Sequence, residues 1–135
     1  MIALVACSPG DMGSPAENTV PGLGAATAVH MVSLAGWGSQ ERPVPDTVRI
    51  GPGAAVVFQT ADFRVHSVEF LDGDMAPAQS SFIRRASHLR SPPLVERGSR
   101  YVVLFSGAPP GIYPYRVEGF GEPARGAVVV GTDSP

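Results

Sequence analysis

The six residues Val65-His66-Ser67-Val68-Glu69-Phe70 decide the fold class, because apolar and polar side chains alternate along them as in a β-strand. Successive side chains of a strand point to opposite faces of a sheet. His66, Val68 and Phe70 therefore share one face, and the residues between them share the other. The stretch predicts a strand in which a histidine shares one face with two apolar side chains.

Similar short runs lie on both sides of this strand, and turns rich in glycine and proline separate them. They predict an all-β sandwich of about seven strands. We expect a turn at 35–39 and a β-hairpin whose two strands, 47–50 and 54–59, reverse at Gly51-Pro52-Gly53. An insertion near 77–92 is predicted to hold a short helix from about Pro77 to His88. The other predicted strands are 29–34, 101–105, 112–117 and 127–131.

The composition fits one small domain. The chain has 135 residues, 44% of them hydrophobic, with 16 glycines, 14 prolines and a formal net charge of −2. It contains no lysine, and its arginines form no long basic run, so we expect no nucleic-acid partner. No run of residues is long and apolar enough to span a membrane.

The N-terminus contains the only cysteine. Leu4-Val5-Ala6-Cys7 resembles the lipobox of bacterial lipoproteins, in which the cysteine thiol takes a diacylglycerol. The apolar run before Cys7 is shorter than a full signal peptide, and the alternative is a disordered terminus with an incidental cysteine. We predict a truncated lipoprotein signal at 1–7, a flexible linker at 8–28, a folded domain at 29–131 and a tail at 132–135. The expected location is extracytoplasmic, in the periplasm or at the cell surface, with a lipid on Cys7 anchoring the chain to the membrane.

The order of the predicted strands resembles that of the plastocyanin-like cupredoxins, the family of blue type 1 copper domains. The resemblance rests on 45–53, 56–58 and 65–70 in the first half. In the second half it rests on 101–105, on Pro110-Gly111-Ile112-Tyr113-Pro114-Tyr115 and on 126–130. It spans most of 29–131 and implies a cupredoxin-like Greek-key β-sandwich.

The resemblance also implies where copper ligands would stand. In that family a thiolate and two imidazoles surround copper, and a weak axial thioether completes the site. The first histidine falls on His66. The cysteine falls on Val117, the second histidine on Phe120 and the methionine on Ala124, or on Arg125 if the alignment shifts by one. Three of the four ligands are therefore lost, so we expect no copper cofactor.

Two interpretations of His66 follow. It is either a surviving metal ligand, or a histidine that caps the end of the sandwich and bonds to a loop carbonyl. Ser67 is adjacent to it but points to the opposite face, so no hydrolytic pair forms. The chain is not expected to be an enzyme.

The sequence favours a non-catalytic binding or accessory module with a degenerate metal site. Its protein partner would bind at the Phe120 end, where Tyr115, Trp37 or Phe63 would extend an apolar patch, although Phe120 filling the former metal cavity is equally consistent. The alternative is a copper-binding electron-transfer protein with a non-standard site around His66, in which copper would be the cofactor. The partner ligands for that site are His30, His88, Met31 and Met75. A third interpretation is a purely structural sandwich within a larger envelope assembly.

Overall fold

The computed structural model describes residues 28–119 and 121–131, and that part of the chain is mostly β-structure. It contains eight strands, a 3-10 turn at Asp72–Asp74 and one α-helix, α1 (Pro77–Arg85). The strands are β1 (Val29–Trp37), β2 (Gln40–Val44), β3 (Thr47–Ile50), β4 (Ala55–Thr60), β5 (His66–Phe70), β6 (Arg100–Leu104), β7 (Gly111–Gly119) and β8 (Ala124–Val130). The predicted all-β class is confirmed, as is the short helix.

The strands form two four-stranded sheets packed face to face. The first sheet has the order β2-β1-β4-β6 and the second has the order β3-β8-β7-β5. Two pairs are parallel, β1 with β4 and β3 with β8, and the other pairs are antiparallel. The mixture of parallel and antiparallel pairs arises because the chain crosses repeatedly from one sheet to the other.

The inner faces of both sheets meet in an aromatic and aliphatic core. Phe58 from the first sheet lies edge-on against Tyr115 of the second, with ring centroids 5.0 Å apart. Phe70 contacts both of these rings and Phe105 at 6.0–6.4 Å. Such edge-to-face arrangements are the ones that aromatic quadrupoles favour. The alternating residues of each strand therefore supply the hydrophobic surface that holds the sheets together.

The predicted hairpin at Gly51-Pro52-Gly53 is wrong, although the turn itself is present. β3 pairs with β8 in the second sheet, whereas β4 pairs with β1 and β6 in the first. The turn thus carries the chain from one sheet to the other. Both strands have inward-facing apolar residues, and these bury against each other across the sandwich when the strands lie in opposite sheets.

The first predicted turn, at 35–39, is also wrong in part. β1 continues to Trp37, the turn narrows to 38–39, and β2 follows at once, so the strand count is eight. β2 was missed because its inward-facing positions are Glu41 and Pro43, which give no apolar alternation. Its place in the sheet comes from its pairing with β1.

The segment after α1 covers the free edge of β5. Phe82 and Ile83 of α1 are buried against the core. The chain then returns along β5, where the backbones of Leu94 and His66 exchange both hydrogen bonds. The insertion therefore packs the helix on the core and shields an edge strand.

The end of the sandwich that holds the candidate site lies where β5 begins and β7 ends. His66 at the start of β5 pairs with Gly119 at the end of β7. No helix of the described residues is long and apolar enough to cross a membrane. The predicted lipobox with Cys7, nearly all of the predicted linker, the position of Phe120 and the tail lie outside the described residues.

Candidate functional site

His66 lies at the candidate site and is fully buried. It shares the inner face of β5 with Val68 and Phe70, as the alternation predicts. Its backbone is held on both sides, by Gly119 of β7 and by Leu94 of the covering segment. The backbone of His66 therefore has a defined position between β7 and the covering segment.

Both ring nitrogens of His66 contact carboxylates. Nδ1 lies 2.5 Å from Oε1 of Glu41, and Nε2 lies 2.7 Å from Oδ1 of Asp62. The sequence suggested a loop carbonyl as the capping partner, and that suggestion is wrong. Two acidic side chains from different parts of the chain hold the ring instead.

Asp62 is the more accessible of the two acids and has several donors around it. The backbone N–H of Gly36 donates to Oδ2 at 2.8 Å, and the backbone N–H of Arg64 donates to Oδ1 at 3.1 Å. Burial acts to raise the pKa of Asp62, but the hydrogen bonds from His66, Gly36 and Arg64 outweigh it and hold that pKa below its usual value. Asp62 therefore serves as an ionised acceptor that fixes the loop before β5.

Glu41 is buried, with only 2% of its surface exposed. Its Oε1 faces His66, while its Oε2 is buried and has no hydrogen-bond partner among the described residues. A Cβ placed on Gly119 would come 2.8 Å from this oxygen and 2.4 Å from the carbonyl oxygen of Val65. The missing side chain at position 119 thus leaves the space that the Glu41 carboxyl group occupies.

Two of the other positions implied by the copper resemblance carry aliphatic side chains. Val117 is fully buried in the core and pairs with Val68 on one side and Ala124 on the other. Neither valine nor alanine has an atom that can bind a metal ion. Together with a histidine whose nitrogens both face carboxylates, these residues do not fit a type 1 copper ion.

The other histidines and methionines considered as ligands lie in other parts of the fold. Across 28–119 and 121–131, no group of three or more His, Cys, Asp or Glu side chains is arranged to hold a metal ion. Glu41 and Asp62 face different nitrogens of one ring, so their oxygens do not converge on a common point. His88 Nδ1 lies 3.0 Å from the hydroxyl of Tyr101, and Met75 packs against the core. His30 and Met31 lie in β1.

An apolar strip lies on the surface beside His66. Phe63 is 82% exposed, and the Arg97 guanidinium lies over its ring at 5.6 Å from the centroid. The bridge between His66 and Leu94 places Val65 opposite Val95, and both side chains are exposed. We call Phe63, Val65, Val95 and Arg97 the Phe63 strip. An open groove of about 570 Å³ adjoins it, lined by Phe63, Arg64, Val65 and Gly119.

Tyr115 does not belong to this surface. The sequence suggested that it would extend an apolar patch, but its side chain is fully buried among the core rings. Its hydroxyl donates to the backbone oxygen of Asp46 at 3.2 Å. Its position in the middle of β7, facing the core, accounts for this difference.

Sequence reasoning missed Glu41 and Asp62, the two partners of His66. The signal for Asp62 was its position four residues before His66, close enough to reach it across a short loop. Glu41 gave no local signal, because it lies in a strand that itself was not predicted. The contact between Glu41 and His66 can be recognised only when the pairing of β2 with β1 is known.

Comparison with protein-family models and with curated protein sequences gave no match. Solved structures do match. A variant of oxidized amicyanin matches with a TM-score of 0.53 and 20% identity, over 76% of this chain and 82% of that chain. A Cu(I) amicyanin variant gives 0.53 and 21%, over 77% and 83%. A purple cupredoxin from Nitrosopumilus maritimus gives 0.49 and 18%, over 76% and 99%. At the identities of the amicyanin matches the likeness concerns the fold alone, and by its fold this chain is a cupredoxin-like β-sandwich.

Proposed function

We propose that this chain is the folded domain of an extracytoplasmic lipoprotein that works without type 1 copper, as a non-catalytic binding or accessory module. The observation that carries the proposal is the pair of carboxylates on His66, at 2.5 and 2.7 Å from its two nitrogens. A lipid on Cys7 would anchor the module to the membrane.

The carboxylates oppose metal binding for an energetic reason. A copper ion bound to either nitrogen would have to displace the acid that contacts it. At Nδ1 this exchange would break the buried contact with Glu41, and any hydrogen on that nitrogen would have to leave. With aliphatic side chains at Val117 and Ala124, no thiolate or thioether from those positions offsets that cost.

The binding role is assigned to the Phe63 strip. Exposed aromatic and aliphatic side chains beside an arginine are typical of protein-binding surfaces. The strip lies at the end of β7 that precedes position 120, where the sequence placed a partner. The groove at Gly119 would accommodate an apolar side chain of that partner.

The absence of a type 1 centre is tested by adding Cu(II) to the purified chain in a Cys7→Ser background, so that no thiol remains. We expect no binding with submicromolar affinity by calorimetry. Purification of the unaltered chain from a copper-supplemented culture, followed by metal analysis, should give far less than one copper per chain. A stoichiometric copper ion in the purified chain would contradict the proposal.

Copper binding at a non-standard site around His66 remains the second candidate function. It is favoured by one observation, the buried Glu41 Oε2 that has no partner among the described residues. If the Cys7→Ser chain does bind Cu(II) tightly, titration of a His66→Phe variant decides this question. Loss of tight binding would support the second candidate, and unchanged binding would place the copper elsewhere.

The partner surface is tested by crosslinking in membranes that contain the anchored chain. Phe63→Ser is compared with Ile112→Ser, because Ile112 is also exposed, at 59%, but lies at the opposite end of β7. We expect Phe63→Ser to abolish a crosslinked product that Ile112→Ser retains. If the two variants crosslink as the unaltered chain does, the domain is better described as a structural sandwich.

A further inference from the structure

We propose that Glu41, His66 and Asp62 form a hydrogen-bonded chain that holds two protons and ties the two sheets together at this end of the sandwich. We call these three residues the acid–histidine–acid chain. It stands at the position where the copper resemblance places a metal ligand, and it gives that position a structural role.

The proton count follows from the chemistry of the three groups. A neutral imidazole has one N–H donor and one nitrogen with a lone pair, and an ionised carboxylate only accepts hydrogen bonds. With one proton in the chain, one nitrogen lone pair would face a carboxylate lone pair at 2.5 or 2.7 Å. Two such acceptors repel at that distance. A hydrogen must therefore lie in each contact, either on the ring nitrogen or on the carboxyl oxygen.

Two protons shared among one imidazole and two carboxyl groups leave a net charge of −1. His66 is either an imidazolium between two carboxylates, or a neutral ring between one carboxylate and one carboxylic acid. The backbone donors of Gly36 and Arg64 favour the ionised form of Asp62. The hydrogen in the Asp62 contact therefore lies on Nε2 of His66, and the other hydrogen lies between Nδ1 and Oε1 of Glu41.

The chain links the two sheets beside a second contact, in which the backbone of Glu122 bonds to the backbones of Glu41 and Ser39. Glu41 belongs to β2 and Gly36 to β1, which are neighbours in the first sheet, whereas His66 belongs to β5 at the edge of the second. Asp62 lies in the loop between the sheets and bonds to both sides of it. A line of hydrogen bonds therefore runs from β1 through Asp62 and His66 to β2, and so from one sheet to the other.

Burial makes these contacts energetically important. His66 and Glu41 are both almost completely buried, so water cannot replace a lost partner. Removing one member of a buried pair is destabilising, while replacing the whole pair with apolar side chains is often neutral. Comparison of single and double substitutions therefore distinguishes a charged link between the sheets from an imidazole ring that only fills space in the core.

The proton count is tested by nuclear magnetic resonance on the unaltered domain labelled with ¹⁵N at histidine, near neutral pH. We expect the His66 ring to show hydrogens on both nitrogens, protected from exchange with water. If one nitrogen has no hydrogen, infrared spectroscopy should instead show a carboxylic acid band that Glu41→Gln removes. A deprotonated nitrogen without such a band would overturn the proposal.

The tie is tested by thermal unfolding of a mutant cycle. His66→Phe keeps an aromatic ring but leaves the buried Glu41 without a partner and removes one donor from Asp62, so we expect Tm to fall by about 10 °C or more. Adding Glu41→Met to His66→Phe should recover at least half of that loss, and Glu41→Met alone should be destabilising. If the effects of His66→Phe and Glu41→Met on Tm simply add, the proposed link between the two sheets is overturned. If His66→Phe fails to fold, the resonance experiment and the stability of Glu41→Met still decide the matter.

Discussion

Gly119 is the residue whose missing side chain shapes the candidate site. It pairs with His66, and its backbone lies against Glu41 and the carbonyl of Val65. A glycine at a position without positive φ is required only where another group comes too close for a Cβ. Gly119 meets that condition, because a Cβ there would lie only 2.4 Å from a backbone oxygen.

We predict that Gly119→Ala destabilises the domain by about 1–3 kcal/mol, since the strands must move apart to admit the methyl group. Gly73→Ala is the matched control, because a Cβ there meets nothing within 4 Å. Urea unfolding followed by circular dichroism measures both variants. Equal stability of the two would show that the end of β7 is free to shift.

His88 gives a prediction about pH. Burial holds the pKa of its half-buried imidazole below the ordinary value of 6.5, so the folded state favours the neutral ring. The stability that results is present above pH 6.5 and is lost as pH falls through the lower folded pKa. We expect His88→Gln to lose less stability than the unaltered chain between pH 7 and pH 5.

The measurement for His88 is the free energy of unfolding of both proteins across that pH range. Comparison at pH 8, where the imidazole is neutral in folded and unfolded chains, separates the packing effect of the substitution from its effect on protonation. Parallel curves for the two proteins between pH 7 and pH 5 would contradict the expected sign.

At the scale of the elements, α1 could be predicted from the local sequence and β2 could not. The inner face of α1 carries Phe82 and Ile83, and these pack on the core in a helix whose position was predicted. The inner face of β2 carries Glu41 and Pro43, and the strand was missed. An apolar face is a local property, whereas a buried acid depends on its partner elsewhere in the chain.

The role of α1 is testable through Ile83, which is fully buried. We predict that Ile83→Ala destabilises the domain by about 2–5 kcal/mol, because the cavity beneath the helix cannot be filled by its neighbours. Ser81→Ala, on the exposed face of α1, should stay within about 0.5 kcal/mol. Chemical unfolding measures the free energy of unfolding of both variants. A loss below about 1 kcal/mol for Ile83→Ala would mean that α1 packs only loosely on the core.

At the scale of the whole molecule, the chain has a cupredoxin-like fold in which two acids contact His66. We predict that supplying the three ligand types that the copper resemblance implies is insufficient for a blue copper centre. The triple variant Val117→Cys, Phe120→His and Ala124→Met, in a Cys7→Ser background, should show no intense thiolate-to-copper absorption band with Cu(II). The reason is that both nitrogens of His66 are still held by Glu41 and Asp62.

Adding Glu41→Ala to that variant removes the acid that contacts Nδ1, and we expect the thiolate-to-copper absorption band to appear. Absorption spectroscopy with one equivalent of Cu(II) measures both proteins. A band in the triple variant alone would show that the carboxylates yield easily to metal, and it would weaken the proposed function.

The sequence by itself determined the β-class, most of the strand positions, the short helix and the face that His66 shares with Val68 and Phe70. Each of these follows from the spacing of apolar side chains over a few residues, together with glycine and proline at the turns. The resemblance to cupredoxins extended that information to the order of the strands, and the structure agrees with it.

Only the tertiary structure decided which strands pair and what surrounds His66. The strands 47–50 and 54–59 look like a hairpin locally but lie in opposite sheets, because burial of both inner faces outweighs the proximity of their ends. Glu41 meets His66 because β2 pairs with β1, a contact between residues distant in sequence. Alternation specifies the face on which a side chain lies, but its neighbours are specified only when the sheets come together, and the chemistry of this site depends on those neighbours.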